Sequence, residues 1–175
     1  MRKNDLSQKY SQAVIAIHWI SVILILVLFP LGKYMSGLDP EEKLWLIIIH
    51  GILGVLIFIL TIIRSVLFFT TKRPEHLSTG SKFNDLIAIT VQRSFYVLLL
   101  IIGVSGLASL LSGGYIKATT ATPMLPELIR PRSEIVPLKI HNTLSVLMMF
   151  LAAMHIAGVV RFNIKHKTNV IKRIT

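Results

Sequence analysis

Six histidines occur in the 175-residue chain, and four of them, His18, His50, His141 and His155, lie in stretches otherwise made of Ile, Leu, Val, Phe and small residues. His76 and His166 sit among polar and basic residues and read as solvated surface groups. An ionisable side chain inside an apolar span is costly and marks function by default. One such histidine is also accounted for by a hydrogen bond between helices. Four of them in this spacing ask for more. His141 and His155 are 14 residues apart, about 40° short of four full helical turns, so they share one face and stand roughly 21 Å apart along the axis. His18 lies near the start of the first apolar stretch and His50 near the start of the second. By depth, His155 pairs with His18 and His141 pairs with His50, giving two bis-histidine sites stacked in one bundle.

Two imidazoles alone are a poor zinc site, since zinc wants four ligands and the sequence has no cysteine to complete them. No carboxylate lies near these histidines in the apolar stretches, the nearest being Asp85 at a helix start. That excludes a di-iron carboxylate bundle. A porphyrin supplies four nitrogens of its own, so the protein need add only two axial ligands. The pattern therefore expects haem at both levels, bound without covalent thioether links. Arg64 follows His50 by 14 residues, which puts it on the face of His50 at the level of His18, placed to pair with haem propionates. Gly51 and Gly54 beside His50, Gly103 and Gly106 in the third stretch, and Gly158 after His155 would let a flat macrocycle approach backbone, a role they share with ordinary close helix packing.

The elements that must position these groups are legible in the charge pattern. Windows without Asp, Glu, Lys or Arg run for 23 residues after Lys9, 20 after Lys43, 23 after Arg93 and 21 after Lys139. About 20 apolar residues span a bilayer as helix. The expectation is an all-α integral membrane protein with four transmembrane helices at roughly 12–32, 44–69, 86–111 and 138–161, forming one membrane domain over 1–175. Composition agrees: 53% of residues are hydrophobic, 15% are charged, and the mean hydropathy is +0.69. Soluble domains carry about 25% charge. The first stretch is too long for a signal peptide and no small-residue cleavage site follows it.

Lys and Arg divide 13 to 6 between the two sides of such a bundle, the larger share falling on Arg2, Lys3 and Lys9, the second connection and residues 161–175. The positive-inside rule puts both termini in the cytoplasm. Asp39, Glu41 and Glu42 then lie outside, and Tyr10, Trp19, Tyr34 and Trp45 fall at the interfaces. The net charge of +11 is absorbed by this topology. Nucleic acid is not an expected partner, because no recognition motif is present and the basic residues are not gathered on one element. The long outer connection, 112–137, carries Pro123, Pro126, Pro131 and Pro137 and is expected to be functional. Its Lys117, Arg130 and Arg132, with Lys139, are candidates for a cationic patch over the outer haem that draws in an anion.

YSQAVIAIHW at 10–19, IIIHGILG at 47–54 with Arg64 beyond, and KIHNTLSVLMMFLAAMH at 139–155 resemble the bacterial di-haem cytochrome b561 family over nearly the whole chain. The resemblance implies His18, His50, His141 and His155 as ligands of two b haems, a multi-pass protein of the bacterial inner membrane, and electron exchange with quinone. Some members of that family oxidise superoxide at the outer haem and reduce ubiquinone; others serve as relays or anchors for dehydrogenases or periplasmic redox partners. The chain departs from many relatives at Val91, Gln92 and Arg93, where a third-span histidine often stands, and at Arg161, Phe162 and Asn163, where further histidines follow the last ligand. Three functions compete: a di-haem cytochrome moving electrons between quinone and an outer reactant, a haem-bearing anchor or relay subunit, and a haem-free proton-coupled membrane protein. The last would want acidic partners within the spans.

Overall fold

The computed structural model describes residues 7–175; Arg2 and Lys3, used above for orientation, lie outside the described residues. Four long helices run antiparallel: α1 (Gln12–Met35), α2 (Pro40–Thr70), α3 (Lys82–Ser112) and α5 (Val136–His166), with a short α4 (Tyr115–Thr120) between the last two. All four long helices have the length and hydropathy to cross a membrane. Three of them, α2, α3 and α5, run well past the uncharged windows because polar turns at one or both ends continue the helix beyond the apolar part. α2 shows why: Asp39 precedes Pro40, Glu41 and Glu42 occupy the first turn, and proline and acid both suit a helix N-terminus. At the other extreme Lys167 closes α5 in the left-handed region, φ 46°, its N–H reaching back to Asn163 and Ile164. Asp85 caps the approach to α3, accepting the Thr79 N–H at 2.7 Å and the Ser78 hydroxyl at 3.1 Å.

The distribution of side chains is the reverse of a soluble bundle. Ile23, Leu26, Ile52, Val66, Val97, Phe150 and Ile156 point outward and are exposed, while Ser21, Thr61, Ser105 and Ser109 are buried. Small polar residues allow helices to approach closely in lipid. The hydroxyls of Thr61, Ser105 and Ser109 donate to carbonyls of their own helices, at Ile57, Ile102 and Ser105. Leu24, Leu28 and Ile57 make the apolar centre between α1 and α2.

The closely packed pairs are α1 with α2, α2 with α3, and α3 with α5. Neither α1 nor α2 packs closely on α5 among the described residues. Both histidine pairs expected from depth bridge helices held apart in this way. One end of the bundle, the termini end, gathers residues 7–11, 71–81 and 167–175, as the Tyr10 N–H to Arg173 carbonyl bond shows. The other, the loop end, carries the α1–α2 turn and the 112–135 connection.

That connection is more ordered than its composition suggests. Besides α4 it holds two 3₁₀ turns, Pro126–Leu128 and Arg132–Glu134. Tyr115 and Ile135 bury themselves against Ile47, pinning the connection to the bundle. Gly114 starts α4 at φ 78°, and a Cβ there would overlap the Leu128 carbonyl. Gly114→Ala is therefore expected to loosen this connection, at a cost of about 1–2 kcal/mol from backbone strain alone. A lowered unfolding midpoint in detergent, with increased hydrogen exchange confined to 113–135, is the measurement.

Candidate haem site

His50 projects from α2 and His141 from α5 at the loop end. Their ring centres are 6.2 Å apart and the planes are inclined by 73°. A metal held between two imidazoles, each bonded through a nitrogen at about 2 Å, separates the ring centres by roughly 6 Å. The pair is spaced for a shared central ion. His141 Nδ1 lies 2.9 Å from the Ile102 carbonyl, and since that carbonyl only accepts, Nδ1 carries the proton. The lone pair of the neutral ring is then on Nε2, free for a metal. A hydrogen bond on the second nitrogen is the usual way a ligating histidine is oriented. His50 Nδ1 is buried without a hydrogen-bond partner among the described residues.

Glycines make this geometry possible. A Cβ on Gly106 would lie 3.0 Å from His141 Nδ1 and 3.1 Å from its Cε1, so α3 can approach the ring only where it lacks a side chain. Gly32 does the same for His50, with 3.2 Å to Cε1. Gly103 leaves room for the Phe58 ring. Gly54 has open space beside it instead, and lines a cavity of about 360 Å³ shared by His50, His141 and Gly106. That is the size range of ligand pockets. Gly51 meets only Leu110 at ordinary contact distance, and Gly158 meets nothing.

The cations around the cavity match the grouping made from the sequence only at Arg132. Arg132 lines it, with its Nη1 donating to the Ser36 carbonyl at 2.8 Å. Lys33 and Lys43 line it as well. Lys117 and Arg130 instead flank a separate hollow beside Leu128, where Arg130 is paired with Glu134 at 3.3 Å, and Lys139 lines neither space. Tyr115 closes the same wall as Arg132. Burial pushes its phenol above the ordinary value, and the nearby guanidinium offsets part of that rise.

At the termini end, His18 and His155 lie within electrostatic range of one another and of Arg64. Arg64 Nη2 donates to His18 Nδ1 at 3.1 Å and its guanidinium lies 5.5 Å from the Tyr96 ring centre. Its Nε is buried and unbonded, and no carboxylate pairs with Arg64 among the described residues. An intramembrane cation of this kind is suited to an anionic group that is not part of the chain. Phe95 meets His155 edge-on at 5.6 Å, and Trp19 meets His18 at 5.3 Å.

No cluster of three or more His, Asp or Glu able to hold a metal occurs among the described residues, so an ion here needs donors from a group of its own. Paired histidines facing a cavity between long apolar helices, with no cysteine for covalent attachment, are what a non-covalent membrane cytochrome needs. The chain belongs to the prokaryotic cytochrome b561 family, whose family model matches residues 9–175. No curated protein matches it significantly. Membership makes it a multi-pass membrane protein that binds b-type haem and transfers electrons, and the resemblance noted from its histidine segments holds at that level. Gly106→Val is expected to push His141 off its Ile102 anchor and lower the b-haem content, measured by pyridine haemochrome per mole of purified protein.

Proposed function

We propose that the chain holds two b haems at the two levels of the bundle, one between His50 and His141 and one between His18 and His155, and moves electrons between quinone and a reactant outside the bacterial inner membrane. The observation that carries this is the His50–His141 pair, 6.2 Å between ring centres, with the proton of His141 fixed on Nδ1 by Ile102. Held between two imidazoles, haem would supply single-electron exchange rather than oxygen binding. The residues do the rest. Ile102 and Gly106 set the plane of His141. Arg64, with no carboxylate partner among the described residues, fits a haem propionate; that pairing requires its contact with His18 Nδ1 to be given up, so that the proton can sit on Nδ1 and Nε2 can face the metal.

The loop end faces the outside in this proposal, as the excess of Lys and Arg at the termini end supports. Lys33, Lys43 and Arg132 at the cavity favour an anionic reactant, and superoxide is the one the family resemblance suggests. Two superoxide ions would each give up one electron to become dioxygen, and the two electrons with two protons would convert a quinone to a quinol. The four uncharged windows of the sequence hold no Asp or Glu, which tells against the proton-coupled alternative.

The first measurement is a dithionite-reduced minus oxidised spectrum with haem quantification; two low-spin b haems per chain are expected, and none would overturn the proposal. His141→Ala is expected to lose the loop-end haem and superoxide-driven reduction while leaving the other haem partly populated. Retention of full haem content would show the ligand assignment to be wrong. Lys43→Gln combined with Arg132→Gln should slow reduction by superoxide about tenfold at low salt and flatten its dependence on ionic strength, followed by stopped flow.

A further inference from the structure

The termini end is closed by a clasp whose centre is an arginine. Arg173, in the last 3₁₀ turn, Val170–Arg173, is only 6% exposed. Its Nε donates to the Gln8 carbonyl at 3.0 Å and its Nη2 to the Glu75 carbonyl at 2.9 Å. Its own carbonyl accepts the Tyr10 N–H at 3.1 Å. One residue thus ties together the lead into α1, the α2–α3 connection and the segment after α5. Val170 N–H to Asn163 Oδ1 holds that segment to the end of α5, and Lys165 Nζ of α5 reaches the Thr79 carbonyl of the α2–α3 connection.

The clasp reaches the histidine level through Trp19. The indole N–H donates to the Ile174 carbonyl at 2.8 Å. A tryptophan at a membrane interface ordinarily gives this proton to water or a headgroup; here it is committed to the residue next to Arg173. The same indole stands edge-on to His18, ring centres 5.3 Å apart and planes 68° apart. His18 is therefore held by Trp19 on one side and by Arg64 on another.

We propose that Arg173 is a positioning residue for His18, fixing the plane of that imidazole through Ile174 and Trp19. This rests on the reading of His18 as a haem ligand. Arg173 touches neither haem nor substrate in this role. It sets the strand of backbone on which Trp19 rests, and Trp19 limits the rotation of the ring beside it. Supports of metal-ligating histidines typically change affinity by about 10–100-fold when removed.

The test uses the haem-loaded protein and the variants Arg173→Met, Arg173→Lys and Trp19→Phe. The two low-spin electron paramagnetic resonance signals are first assigned by their loss in His18→Ala and His141→Ala. Arg173→Met and Trp19→Phe should each shift the g values of the His18 site, which report the relative orientation of the two imidazole planes, and weaken retention of that haem about tenfold. The His141 signal should stay unchanged. Arg173→Lys, able to keep one of the two carbonyl bonds, should fall between. Hydrogen exchange over residues 7–19 reads the clasp independently of haem and should rise in Arg173→Met. Raised exchange with an unmoved His18 signal would overturn the proposal, leaving Arg173 as a fastening only. If Arg173→Met does not fold, an unmoved signal in Trp19→Phe overturns it equally. A wild-type chain that binds no b haem overturns the functional reading and this proposal together, whereas the other two results overturn this proposal alone.

Discussion

The hydrogen bond from His141 Nδ1 to the Ile102 carbonyl is the contact on which the loop end of the bundle depends. It fixes a tautomer, it aims a lone pair, and it joins the two helices, α3 and α5, whose packing is tight enough to allow it. The bond exists because Gly106 presents no side chain where the imidazole lies. Sequence, packing and chemistry meet in one place: a single missing methyl group lets two helices approach, and their approach decides which nitrogen carries the proton.

The termini end is built on a different principle. There an arginine, not a carbonyl, meets the histidine, and arginine only donates. The His18 ring is held by a cation on one side and an indole on the other, and the whole end is sealed by backbone carbonyls gathered around Arg173. The loop end has a hollow with cations around it; the termini end has cations turned inward onto main-chain oxygens. The two ends therefore differ in what meets the histidine: a carbonyl beside a glycine at His141, a guanidinium and an indole at His18.

Much of this was legible in the sequence. Four uncharged windows gave four helices, because a bilayer demands length and apolarity from a helix and little else. The 14-residue spacing from His50 that brings Arg64 to the level of His18 follows from helical geometry alone, and the two side chains meet. The cationic grouping was legible only in part. In the irregular 112–135 connection no period tells which side chains turn inward, and only Arg132 of its basic residues lines the main cavity. Lys43 carried a usable signal: it precedes His50 by seven residues, about two turns, and so shares its face. Gly32 stands at the end of α1 that meets His50, and depth matching extended to glycines would have found it. The seating of Phe58 at Gly103 and the grip of Arg173 on Gln8 and Glu75 had no such signal, since each joins segments whose mutual distance only the folded chain defines.

Both histidine pairs draw one member from α5, and α5 rests chiefly on α3 with little of its apolar window buried. The helix acts mechanically as a single shaft carrying two fittings. A rotation or slide of the shaft would reach both levels at once and in proportion, whatever caused it. Independent adjustment of the two levels is left to the other partners, α1 at one end and α2 at the other. Substitutions on α5 should thus be felt as paired effects, and divergence between the two levels should be written in α1 and α2.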